Sequence, residues 1–176
     1  VSYTSLVIFR DGKPDSEIEF RNANRGAWLI WDSLYRRYVD DSESSYALKD
    51  DGAKLWPLAD DPRLDDFERR VHLFTCDMAL VGAVDFERFS VDLHRFAERH
   101  DLMESSHLPE WAGAFWGAAN KSDGSIDAIG LYPTSVTDNP WWYYPDGDRE
   151  KESEPYNLRF LTRHFYVYEY GGEVAC

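Results

Sequence analysis

Residues 61–100 read DPRLDDFERRVHLFTCDMALVGAVDFERFSVDLHRFAERH. Leu64, Phe67, Val71, Phe74, Met78 and Val81 follow one another at steps of three and four, the spacing of one helix face. Asp61-Pro62 offers an N-cap and a proline at the first helical position, and Gly82 offers a stop. Asp85 caps a second run in which Phe86, Phe89, Leu93 and Phe96 repeat the spacing. A connection as short as 82–85 turns the chain straight back, so the pattern predicts an antiparallel helical hairpin over 62–81 and 85–100.

Upstream, Ser5 to Phe9 is an apolar run that ends in the turn residues Asp11-Gly12-Lys13-Pro14, and residues 17–21 then alternate polar and apolar. This predicts an N-terminal β-hairpin. Asn24 is placed to cap a helix over Arg25 to Val39, with Trp28, Trp31, Tyr35 and Tyr38 as an aromatic stripe against a sheet. Residues 40–61 have no periodicity and read as a long acidic loop anchored by Leu55-Trp56-Pro57-Leu58. Downstream, Pro109 opens a short helix with Trp111, Phe115 and Ala118 on one face, ending near Asn120. Residues 126–132, 141–144 and 163–170 are rich in aromatic and β-branched side chains and predict strands, with 146–154 as a charged, mobile hairpin loop. Strands at both ends with helices between them predict one α+β domain over 1–176, a mainly antiparallel sheet covered on one face by helices.

At 176 residues, with seven Trp, eleven Tyr and ten Phe, the chain has enough large apolar surface for a core without metal or disulfide. Only Cys76 and Cys176 are present, and Cys176 is the last residue, so the expectation is a buried, inert Cys76 thiol and a reducing compartment. The short apolar run from Leu6 to Phe9 is interrupted by Arg10, so it is expected to be neither a secretory nor a membrane-spanning segment. The composition therefore predicts a soluble cytoplasmic protein.

Charge is unevenly distributed. Between Asp40 and Glu68 lie ten carboxylates against three cations, half of the net charge of −14, whereas residues 1–39 carry six cations and five carboxylates. A concentrated negative field attracts basic surfaces and repels nucleic acid. Spaced carboxylates can present a phosphate-like array to a nucleic-acid-binding protein, since duplex DNA sets one charge every ~1.7 Å of axis. Small acidic decoys of phages and mobile elements work this way, and the likeness here rests on charge alone. The plain alternative is a solvated loop that aids solubility.

Motifs for chemistry are sparse. Asp123-Gly124 and Asp146-Gly147 fail the calcium-loop pattern, because Ala119, Lys121, Gly130, Arg149 and Ser153 fall where specific ligand or apolar residues belong. His94 and Glu98 share a helix face but lack a third zinc ligand at matching spacing, even with His100 and His107 nearby. His72 and Cys76 lie four apart, the skeleton of a thiol nucleophile, but inside a helix the thiol lacks the dipole that would activate it. No GxSxG, P-loop, GxGxxG after a strand or HExxH occurs. No catalytic residue, cofactor or metal is expected. Trp141-Trp142-Tyr143-Tyr144 is the densest aromatic cluster, and on a strand half of it needs cover or a partner.

The reading that follows is a non-enzymatic binding protein that inhibits or sequesters a basic partner, without direct contact to nucleic acid or membrane; the sequence does not give its oligomeric state. Its contact residues are Asp40, Asp41, Glu43, Asp50, Asp51, Asp60, Asp65 and Asp66, with Trp56 and Trp142 as anchors. A toxin-neutralising immunity protein shares the same acidity and size. The rival class is a small enzyme or ligand-binding domain with a pocket between helices and sheet, using His164, Tyr166 or His94.

Overall fold

Strand β1 (Tyr3–Arg10) is buried on both faces, which is why Leu6 to Phe9 is continuously apolar rather than alternating. In the computed structural model, which describes residues 2–40, 52–121, 124–133 and 139–168, Leu6 and Ile8 face a helical layer, and Val7 and Phe9 face a second, smaller core. Strand β2 (Lys13–Arg21) returns antiparallel through the Asp11-Gly12 turn, where both residues hold positive φ. The expected N-terminal hairpin is thus present. The five-stranded sheet has the order β2-β1-β4-β3-β7, with β3 Ala79–Gly82, β4 Ala128–Pro133 and β7 Phe165–Tyr166. All its pairings are antiparallel except β3 with β7. The mixed α+β class is as the sequence indicates.

Four α-helices are described: α1 Ala27–Tyr38, α2 Asp66–Phe74, α3 Phe86–Arg99 and α4 Leu108–Ala119. Asn24 does not cap the first; it lies in a 3₁₀ turn over Ala23–Arg25, and Gly26 precedes α1. Trp31 and Tyr35 enter the core, while Trp28 and Tyr38 pack half-buried at its margin. Leu55 and Leu58 are buried beside a 3₁₀ turn over Trp56–Asp60, the anchor expected for the acidic segment.

The hairpin expected over 62–81 and 85–100 needs correction at its first member. Helix α2 begins at Asp66, its cap Asp65 four residues after Asp61 and in a reciprocal box with Glu68, and ends at Phe74. The Asp61 carboxylate instead accepts from the Arg63 backbone and side chain. Thr75 closes the last turn, its backbone N–H and hydroxyl both donating to the His72 carbonyl. Met78 then takes φ 64°, a left-handed conformation that no helix continues through. Residues 79–82 form the interior strand β3, so Val81 continues the helical spacing only by coincidence. Helix α2 still packs on α3, but the helical hairpin proper is α3 with α4. Phe74, Phe89 and Phe115 meet edge to face at its centre, with centroids 4.8, 4.9 and 5.7 Å apart.

The second face of the sheet is covered by the chain beyond β4, where β5 (Trp142–Tyr143) and β6 (Glu154–Pro155) form a small antiparallel ribbon. Trp141 is its keystone. Its ring lies over Gly130, where a Cβ would come within 2.5 Å of it, and its indole N–H donates to the Leu131 carbonyl at 3.0 Å. Further along, the Tyr168 hydroxyl donates at 2.6 Å to Asp92, which Arg70 grips with two bonds of 2.6 and 3.0 Å, tying the C-terminal segment to α2 and α3. Among the described residues no helix is long and apolar enough to cross a membrane.

Two substitutions test this packing in denaturant titrations. Phe74→Ala or Phe89→Ala is expected to cost about 3–5 kcal/mol, and Gly130→Ala about 1–3 kcal/mol by driving Trp141 off the sheet. Glu87→Ala on the exposed side of α3 is expected to stay within about 0.5 kcal/mol of the native protein.

Candidate functional site

Among the described residues of the acidic segment, the carboxylates from Asp61 to Glu68 are not a bare row. Asp61 is gripped by Arg63, Asp65 pairs with Arg99 at 2.7 Å, and Asp66 lies 3.4 Å from Arg69. Hydrogen bonds from Arg63 hold the Asp61 carboxyl down to about 2. Arg69 also donates to the Ala59 and Asp61 carbonyls, fastening the 3₁₀ turn to α2. Asp40 and Asp60 are exposed, whereas Asp41, Glu43, Asp50 and Asp51 lie outside the described residues. Trp56 is turned into the protein, stacked on His72 at 5.9 Å and edge-on to Trp31 at 5.5 Å.

Glu68 is the hub of this region. Fully buried, it accepts from Tyr38 at 2.7 Å, from His100 at 2.9 Å and from the Asp65 backbone at 3.0 Å, joining the ends of α1 and α3 to the start of α2. Burial alone would raise its pKa, but these three donors outweigh it and hold the carboxyl at about 2. A carboxylate that acidic is a poor proton acceptor near neutrality, so the cluster is suited to positioning rather than general base work. Beside it, a cleft of about 720 Å³ is lined by Leu29, Ser33, Arg36, Arg37, Tyr38 and His100, among others. The arginines there lie in the last turn of α1, where they offset the negative helix end, and Arg36 is already paired with Asp32 at 3.0 Å.

The other histidines take structural places. His72 is fully buried, donates from Nε2 to the Leu55 carbonyl at 3.1 Å, and burial pushes its pKa down to about 4 against those backbone bonds. His107 bridges Glu110 and the Arg21 carbonyl, each at 2.7 Å. His94 and Glu98 meet at 3.4 Å with both side chains half-exposed or more, and among the described residues no group of three His, Cys, Asp or Glu could hold a metal. His164 and Tyr166 sit edge to face at 5.8 Å beside the second core, apart from His94 on α3. The expectation of a free Cys76 thiol is overturned. Cys76 lies in the turn after α2 and is disulfide-bonded, its partner outside the described residues, so free thiols no longer argue for a reducing compartment.

A second cleft of about 720 Å³ opens between the β5–β6 ribbon and residues 156–163. Tyr156 is its buried floor, and Tyr143, Tyr144 and the strongly exposed Phe160 form its walls, with Met78 and Asp146 also on its surface. The rings are held in place: Tyr143 donates to Glu154 at 3.0 Å, and Tyr156 donates to His164 at 3.2 Å while accepting the Arg163 backbone N–H at 3.1 Å. Trp142 and Tyr144 also line an adjoining hollow of about 390 Å³. Of the expected contact residues, this site therefore contains Trp142 at its edge and none of the carboxylates of 40–68. Reading the sequence missed Tyr156, Phe160 and Met78; the signal was Pro140 and Pro145 around 141–144, which stop the aromatic run from continuing into a covered strand.

Comparison with protein-family models, curated proteins and solved structures finds no match.

Two buried groups with shifted pKa values, His72 and Glu68, give stability a defined pH dependence. His72 titrates near 4 when folded and 6.5 when unfolded, so its contribution is complete above pH 6.5 and is lost as pH falls from 6.5 to 4. Glu68, near 2 folded and 4.5 unfolded, adds a loss between pH 4.5 and 2. Denaturant midpoints measured across pH are expected to fall in both windows. His72→Gln flattens the upper window and Glu68→Gln the lower.

Proposed function

We propose that this is a non-enzymatic acidic protein that binds a basic segment of a partner protein and thereby sequesters that surface. The observation that carries the reading is the aromatic cleft: exposed rings of Tyr143, Tyr144 and Phe160 over the buried, hydrogen-bonded Tyr156, in a chain of net charge −14. Fixed aromatics of this kind give large contact area at low entropic cost and dominate interface energetics. The neighbouring loop from Asp146 to Glu154 carries five carboxylates and two cations, so the rim attracts positive charge. The carboxylates of 61–68, by contrast, are engaged by Arg63, Arg69, Arg99 and His100 and contribute mainly to the long-range field. Attraction of a basic surface is long-ranged, and the rings then supply the short-range affinity.

Fluorescence anisotropy with a labelled eight-residue oligolysine tests this. Binding is expected at 0.1 M salt and to weaken steeply toward 1 M, as the Debye length falls from about 10 Å to 3 Å. The double variant Tyr144→Ala, Phe160→Ala, with charge unchanged, is expected to lose about tenfold in affinity or more. Ring variants that bind as well as the native protein, with Asp60→Asn, Asp65→Asn and Asp66→Asn abolishing binding, would return the interface to the acidic segment.

A further inference from the structure

Asp146 stands at the mouth of the aromatic cleft with its carboxylate already holding a cation. Lys151, five residues on, places its Nζ 3.1 Å from Asp146 Oδ2; its side chain is half-exposed and that of Asp146 largely exposed. An exposed pair of this kind contributes little to stability and exchanges partners readily. The geometry points to a cation site: resting on the reading above, we propose that one lysine or arginine side chain of the partner enters the cleft against Tyr143, Tyr144 and Phe160, takes Asp146 as its counter-ion, and displaces Lys151 as the internal competitor.

Three observations support this occupant over an apolar one. First, the cleft combines electron-rich ring faces with a carboxylate, the environment in which a cation is attracted both by ring quadrupole and by charge. Second, two of its rings are fixed before any ligand arrives, Tyr143 by Glu154 and Tyr156 by His164 and the Arg163 backbone. Pre-organised walls avoid the ordering cost of closing around a side chain. Third, the backbone is left-handed at two residues of this surface, and at one of them, Met78, that conformation is unfavourable. Among the described residues five non-glycine residues have positive φ, and two of them, Met78 at 64° and Asp146 at 58°, line the cleft. The other three are Asp or Asn, which tolerate that conformation, whereas a long unbranched side chain such as Met does not gain from it. Glycine would relax position 78, and methionine keeps a polarizable thioether on the wall. Arg163 is the second cation on this surface, and the connection between β5 and β6 carries five carboxylates against two cations from Asp146 to Glu154.

The experiment is an NMR titration of the full chain with Nα-acetyl-Nε-trimethyl-lysine methylamide and with its neutral tert-butyl isostere. The charged probe is expected to bind about tenfold tighter than the isostere, shifting the Tyr143, Tyr144 and Tyr156 ring signals. Lys151→Ala is expected to tighten the charged probe severalfold and leave the isostere unchanged, and Asp146→Asn to weaken the charged probe alone. Both substitutions are at exposed positions, and unchanged melting temperatures separate binding effects from misfolding. Equal affinity for the two probes, or no response to Lys151→Ala, would overturn the cation site. Ring-dependent oligolysine binding with no charge preference among the small probes removes this inference and leaves the basic-partner reading intact, whereas failure of both probes and oligolysine removes both.

Discussion

Burial of β1 on both faces is the constraint from which the rest of the structure follows. Leu6 and Ile8 require one apolar layer, and Val7 and Phe9 require another. The first is met by four amphipathic helices whose aromatic side chains interlock around Phe74, Phe89 and Phe115. No helix among the described residues serves the second, so Trp141 and Tyr156 from the chain beyond β4 cover it, the indole seated on Gly130. Glycine at that register position makes the close approach sterically available. A strand with two apolar faces thereby obliges the chain to lay an aromatic ribbon over the sheet, and the rings not needed for that cover become the walls of the cleft.

The electrostatic organisation is a separate matter from the net charge. Glu68 shows how the chain uses a carboxylate as a structural fastener: it completes the cap of α2 while receiving Tyr38 and His100 from the ends of two other helices. Such a buried charge is tolerable because each of its neighbours donates to it; removing one would leave the charge unsatisfied. Around it, arginines from α2, α3 and the loop before α2 answer the acidic positions of the same region. Local pairing at Asp61, Asp65 and Asp66 offsets those charges while the chain as a whole keeps a net charge of −14.

The aromatic cleft and the acidic character meet on one side of the molecule. Its floor belongs to the second core through Tyr156, so the site is coupled to the packing of Trp141 and Phe9 rather than hung on an independent loop. Its mouth belongs to the charged connection between β5 and β6, where an exposed ion pair closes on itself. Stiff walls and an exchangeable gate are what capture of a flexible basic side chain calls for, because ordering costs then fall on the ligand alone.

Helix faces and the first hairpin were legible in the sequence because they are local: periods of 3.6 and 2 and a turn such as Asp11-Gly12 act over a few residues. So were the burial of Trp111 and Phe115 and the anchoring by Leu55 and Leu58. The switch from α2 to β3 was not, since Ala79 to Val81 suits either state, and what selects a strand is the vacancy between β4 and β7. Likewise the spacing of Trp141 to Tyr144 announces an aromatic cluster without saying which ring is covered. By itself the sequence determined the α+β class, most of the buried residues and the excess of negative charge, all properties of composition and short-range order. Only the tertiary structure decided which carboxylates are neutralised, that Cys76 is bonded, and that Tyr143, Tyr144, Tyr156 and Phe160 share one cleft. Each of these depends on groups distant in the chain, brought together by the need to cover both faces of one strand.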